Sequence, residues 1–178
     1  MKLLIVVDMQ NDFVNGSLGT PEAAGIVERV AEKIRGWGGE ICVTQDTHGP
    51  EYLETQEGQL LPVPHCIKGT AGWRLNPVVE AALAEKERVY TYTKPTFGCR
   101  ALAADLAERK EEIEAIEIIG LCTDICVLSN ALLLKAFLPE TPITVDAACC
   151  AGVSPRSHQN ALDALRGCQV KVVNAAEG

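Results

Sequence analysis

Short apolar, β-branched runs recur along the chain at residues 3–7, 41–44, 89–93, 115–119, 143–145 and 170–173, with stretches of helical spacing between them. No other feature limits the possible folds as strongly. Apolar runs of this length suit strands buried on both faces. The segment 21–35 puts Ala24, Ile26, Val27, Val30, Ala31 and Ile34 on one broad helical face, and segments 77–84, 101–109, 123–137 and 155–165 repeat the pattern. Thr20-Pro21 and Ser154-Pro155 read as an N-cap followed by proline at the first helical position. Repeated β-α order requires a parallel sheet whose crossover helices cover both faces. The fold class is therefore α/β: a three-layer α-β-α sandwich around a mainly parallel, roughly six-stranded, Rossmann-like sheet. The 178 residues, 47% of them hydrophobic, suffice for one such core, so residues 1–178 are expected to form a single domain.

The formal net charge is -8 and no basic run could track a phosphate backbone, which argues against a nucleic-acid partner. The opening MKLLIVVDMQ turns polar too early for a signal peptide or a membrane span, and reads as a buried strand. No membrane partner is expected. Eight cysteines stand at 42, 66, 99, 122, 126, 149, 150 and 168. In so long and hydrophobic a chain they read as reduced thiols of a cytoplasmic protein, most of them packed as small apolar side chains.

In open parallel sheets, ligands bind beyond the carboxyl ends of the strands. That rule selects Asp8, residues 45–48, residues 94–98, residues 120–126 and residues 146–150, all at one rim. The segment 47–76 has little periodicity, three prolines and four glycines, the character of a functional loop. At the rim, Asp8 either activates a nucleophile or caps the next turn. Lys94 closes the third strand, where a buried ammonium needs a partner and an exposed one would snorkel to solvent. Cys126 begins a helix, where the positive helix end favours thiolate. Cys126 is thereby a candidate nucleophile, while by spacing alone the C-x-x-x-C pair of Cys122 and Cys126 fits metal ligands or inert core thiols equally well.

Three motifs taken together, V-V-D-M-Q-N-D-F at the first strand, Lys94-Pro95-Thr96-Phe97-Gly98, and G-L-C-T-D-I-C-V, resemble the isochorismatase-like cysteine hydrolases across nearly the whole chain. The resemblance implies a catalytic triad of Asp8, Lys94 and Cys126. It also implies a cis peptide at Leu121-Cys122, with the N–H groups of Cys122 and Cys126 forming an oxyanion hole. The pair D-x-H (Asp46, His48) followed by P-H-C-x-x-G-T-x-G, which contains His65, resembles the metal site of the nicotinamidase branch. Asp46, His48 and His65 are thereby expected to hold one divalent metal ion, with zinc first and iron or manganese as alternatives. His158, the third histidine, reads as a surface residue of a polar helix segment.

Nicotinamidases commonly place an aromatic residue just ahead of their P-x-H-C segment, whereas this chain reads Gln59-Leu60-Leu61-Pro62-Val63-Pro64-His65. Phe13, Phe97 and Trp73 are the remaining candidates for the substrate-binding wall, with core packing or loop anchoring as their ordinary roles. The expected function is a metal-assisted cysteine amidohydrolase that cleaves a C–N bond of a small amide through a thioester, with nicotinamide as the first substrate. Hydrolysis of another small amide or ureide is the nearest alternative, and a non-catalytic metal- or thiol-dependent binding module the alternative of another class. A homo-oligomer is expected.

Overall fold

Residues 3–7 are wholly buried, and their side chains alternate, Leu3, Ile5 and Val7 entering one core and Leu4 and Val6 the other. A strand with two apolar faces belongs at the centre of a sheet. In the computed structural model, which describes residues 1–175, it is β1 (Lys2–Val7). The main elements that follow are α1 (Asn11–Val14), α2 (Pro21–Gly25), α3 (Val27–Gly36), β2 (Glu40–Asp46), α4 (Gln56–Leu60), α5 (Pro77–Ala84), β3 (Val89–Lys94), α6 (Arg100–Glu108), β4 (Ala115–Leu121), α7 (Leu128–Phe137), β5 (Ile143–Ala151), α8 (Pro155–Gly167) and β6 (Lys171–Val173).

The six strands are all parallel, in the order β3-β2-β1-β4-β5-β6. Helices α3 and α5 cover one face through Val30, Ile34, Val79 and Ala82. Helices α6, α7 and α8 cover the other through Leu102, Leu106, Leu134, Leu162 and Leu165. Two cores separated by one sheet give the three-layer sandwich that the strand pattern predicts. Strand order reverses between β1 and β4, so their carboxyl ends flank a crevice. Among the described residues no helix is long and apolar enough to cross a membrane.

Four expectations need correction. The run 89–93 is not buried on both faces: β3 is the sheet edge, and of its residues only Lys94 is buried. Its Tyr and Thr side chains fit a strand with one unpaired side. The segment 21–35 is two helices, because α2 ends at Gly25 and the chain restarts at Ile26. The segment 123–137 begins with a widened π-helical turn, Thr123–Val127, before α7. Strand β5 runs on to Ala151 through a register shift, with Ile118 opposite Val145 but Gly120 opposite Cys150.

At Gly120 the backbone of β4 leaves no room for a side chain beside β1. The Gly120 φ is +117°, and an added Cβ would lie 2.1 Å from the Val7 carbonyl oxygen. Gly120→Ala combines left-handed strain with a clash against backbone that cannot rotate away. It is expected to destabilise the fold by about 3 kcal/mol, measured as a lowered urea midpoint at unchanged m.

Candidate active site

Asp8 directly follows β1 and takes a positive φ of 48°. Its N–H donates to the Thr44 carbonyl at 3.1 Å, and the Thr44 hydroxyl donates to Asp8 Oδ1 at 2.6 Å. The β2–β3 register sets Asp46 opposite Lys94. The Lys94 ammonium then reaches across the strand ends, with Nζ 2.6 Å from Asp8 Oδ2, 3.3 Å from Asp46 Oδ1 and 3.5 Å from Cys126 Sγ. All four side chains are buried. A strand end, two neighbouring strand ends and the turn after β4 thus converge at one point. The Leu121–Cys122 peptide is cis.

Electrostatics decide the resting protonation. Burial raises the Asp8 pKa, and the adjacent Lys94 charge only partly opposes it. Burial would lower Lys94, but the Asp8 and Asp46 carboxylates outweigh it and hold the ammonium charged. For Cys126, burial and then the Asp8 carboxylate raise the thiol well above its ordinary value, and Lys94 does not compensate. Burial and the Asp8 carboxylate thus act against the thiolate that a helix start would favour. Cys122 is likewise pushed up by burial, to about 12.

Asp46 continues the constellation on its other side. Its Oδ2 lies 2.9 Å from His48 Nε2 and 3.5 Å from His65 Nε2, while His65 Nδ1 is tied to the Val63 carbonyl at 2.8 Å. Both imidazoles also face Glu57 Oε1, at 3.7 Å from His48 and 3.6 Å from His65. One ligand atom from each of Asp46, His48, Glu57 and His65 lies within 4.8 Å of the other three. Burial pushes Asp46 upward, yet the two imidazoles and Lys94 outweigh it and keep the carboxyl below the usual range.

Charge bears on whether a metal fits here. Asp8 and Asp46 face the single ammonium of Lys94, and Glu57 adds a third carboxylate beside the two histidines, so carboxylates outnumber ammonium groups in a largely buried cluster. A divalent cation matches that excess, and two nitrogens with two oxygens are a donor set suited to zinc or another first-row ion.

A cavity of about 50 Å³ adjoins the thiol, lined by Phe13, Leu18, Leu61, Phe97 and Ile125 with Cys122, Cys126, Asp46, Glu57 and His65. Phe13 and Phe97 are therefore at the wall, and Phe13 lies 5.5 Å from the His65 ring. Trp73 is not. Its indole N–H donates to the Thr47 hydroxyl at 2.9 Å and its carbonyl accepts from Gln10, so it pins the long loop to the strand ends instead of facing the substrate space.

Sequence reasoning missed three participants. Glu57 is one of several glutamates in the same loop, with Glu51 and Glu54, and nothing in its spacing to His65 set it apart. Gln10 clamps Asp46 from both sides, accepting from its N–H at 2.7 Å and donating to its carbonyl at 2.8 Å. Asn130 donates to the Cys126 carbonyl at 2.7 Å and accepts from the Cys99 N–H at 2.8 Å, bracing the turn that carries Cys126 against the start of α6.

Residues 2–177 match the Isochorismatase domain family. The nicotinamidase/pyrazinamidase of Mycobacterium tuberculosis is 27% identical over 185 residues, spanning 97% of this chain and 98% of that protein. The crystal structure of the Bacillus subtilis nicotinamidase/pyrazinamidase superposes with a TM-score of 0.82 at 28% identity, covering 96% of this chain and 98% of that one. The Pyrococcus horikoshii pyrazinamidase, solved in complex with zinc, gives a TM-score of 0.80 at 25% identity, covering 98% and 99%. With a family match over nearly its full length and the same fold as those enzymes, this chain belongs to the isochorismatase family.

Proposed function

We propose that the chain is a nicotinamidase-type cysteine amidohydrolase that converts nicotinamide to nicotinate and ammonia, with Asp8, Lys94 and Cys126 as its catalytic residues. The observation that carries this reading is the junction of a buried Asp8–Lys94–Cys126 cluster with a four-ligand metal group at one apolar cavity. The cavity wall also bears on the substrate. None of its lining residues is Arg or Lys, and the Lys94 charge is already matched by Asp8 and Asp46. Asp46 and Glu57 already stand at that wall, so a substrate carboxylate would add negative charge beside them, and a neutral, flat amide fits better than an acidic ureide.

The chemistry follows from the resting protonation. Asp8, its basicity raised by burial, takes the Cys126 proton as sulfur attacks the amide carbon. Lys94 keeps its charge and offsets the negative charge that the thiolate brings into the pocket. The carbonyl oxygen becomes an oxyanion near the N–H groups of Cys122 and Cys126. Asp8 then gives its proton to the departing nitrogen, which leaves as ammonia. Water, deprotonated by Asp8, attacks the thioester, and the acid leaves as the thiol re-forms. Asp46, His48, Glu57 and His65 would hold the divalent ion, which when bound supplies an electrophilic contact that orients the substrate's ring nitrogen. Phe13 and Phe97 would exclude water from the ring.

Steady-state kinetics test the nucleophile. Cys126→Ala is expected to lower kcat on the order of 10⁴-fold or more, and Cys122→Ala to stay within about tenfold of wild type because its backbone N–H survives. Wild-type turnover in Cys126→Ala would exclude the mechanism. Metal analysis tests the ligand group. Chelation should abolish nicotinamide hydrolysis while the apo chain stays folded, with Tm lowered by no more than about 10 °C, since both cores form without the ion. A His48→Ala, His65→Ala chain that still carried one ion per molecule would place the metal elsewhere.

A further inference from the structure

His158 does not sit on a solvated face, as its polar surroundings in sequence suggest. It is half-buried on α8, and its Nδ1 lies 2.7 Å from the hydroxyl of Thr123, a residue wholly removed from solvent. Thr123 directly follows Cys122 and opens the π-helical turn that carries Cys126. The contact spans 35 positions in sequence and joins the start of α8 to the turn after β4. A second bond runs beside it, from the Val153 N–H to Asp124 Oδ1 at 3.1 Å.

The α8 end of this contact is itself held rigidly. Ser154 and Ser157 form a capping box at the helix start. Gly152 lies so close beneath that an added Cβ would come within 2.8 Å of the His158 nitrogen and 2.9 Å of its Cα. Burial lowers the imidazole pKa, and Asp124 opposes this only in part, so the ring is neutral at physiological pH. A neutral imidazole and a hydroxyl pair equally well in either direction. The bond therefore joins a rigid helix start to the residue between the two proposed oxyanion donors, Cys122 and Cys126.

We propose that His158 is a positioning residue of the catalytic turn: through Thr123 it fixes the backbone that presents the Cys122 and Cys126 N–H groups and the Cys126 sulfur to the substrate carbonyl. Donors pre-set at a turn lower the barrier only while their aim is held, and a small displacement costs rate before it costs ground-state binding. The inference rests on the proposed amidase reading for its substrate, and on geometry alone for the residue pair.

The test uses the full chain and its wild-type control. His158→Leu is expected to lower kcat for nicotinamide about tenfold while KM stays within about twofold, because the lost interaction acts on the transition state. His158→Asn, which keeps a polar atom near Nδ1, should recover to within about threefold of wild type. Thr123→Val should match His158→Leu, and the double variant should be no slower than the slower single one, since both break the same bond. A second reading uses pyridine-3-carboxaldehyde, to which the Cys126 thiol adds: a C–S bond forms, the C=O π bond breaks and the thiol proton ends on oxygen. Its dissociation constant should rise in parallel with the loss in kcat. Folded His158→Leu with wild-type kcat and aldehyde affinity, or a double variant losing the product of the two single losses, would overturn the proposal. If His158→Leu does not fold, unchanged kcat in the near-isosteric Thr123→Val overturns it instead. A wild-type chain inert toward nicotinamide sinks the amidase reading alone, and aldehyde affinity across the variants then decides the positioning role.

Discussion

A lysine ammonium held almost entirely out of water is the constraint on which the rest of the site depends. Lys94 is 2% exposed, and its charge is tolerable there only because Asp8 and Asp46 flank it. Each partner faces two ways. Asp8 offers its second oxygen to Thr44 and stands beside the Cys126 thiol, while Asp46 turns its second oxygen to His48 and His65. The Cys126 thiol and the proposed metal ligands are thus joined through one cation. Removing that cation would leave two buried carboxylates facing each other, so the fold and the chemistry share the same dependence on it.

The sheet makes this arrangement possible by bringing Asp8, Asp46 and Lys94 together at its carboxyl end. Along residues 3–7 of β1 and 41–43 of β2 the side chains are packed into the two cores, and the polar residues of the site begin at Thr44, in the last residues of β2. Register does the alignment: Val7 lies opposite Thr44 and Gly120, and Asp46 opposite Lys94. The absent side chain at Gly120 lets β4 approach β1 at that level, which brings the turn bearing Cys126 up to Asp8. Around the charged centre, Gln10, Thr44 and Asn130 hold backbone and carboxylates in place through bonds that are buried or nearly so. Donors fixed in this way need no reorganisation when charge moves during a reaction.

Resting protonation follows from the same burial. Burial and the neighbouring carboxylate raise the Cys126 thiol, and burial raises the Asp8 carboxyl enclosed with it. Activation therefore belongs to the pair, whereas a helix end alone would have had to work against desolvation.

Local pattern in the sequence determined a good deal: the β-α order, the parallel three-layer fold, and the rim on which Asp8, Asp46, Lys94 and Cys126 stand. These are legible because strand burial and strand ends are written in runs of a few residues. The tertiary structure alone decided the rest. It made β3 an edge, broke the segment 21–35 at Gly25, turned Trp73 toward Thr47 and away from the cavity, and added Glu57 to the histidines. It also brought His158 to Thr123 and Asn130 to the Cys126 carbonyl. Each of these outcomes depends on which side chain meets which across tens of residues of chain. That meeting is fixed by register and helix packing, and no local periodicity encodes it.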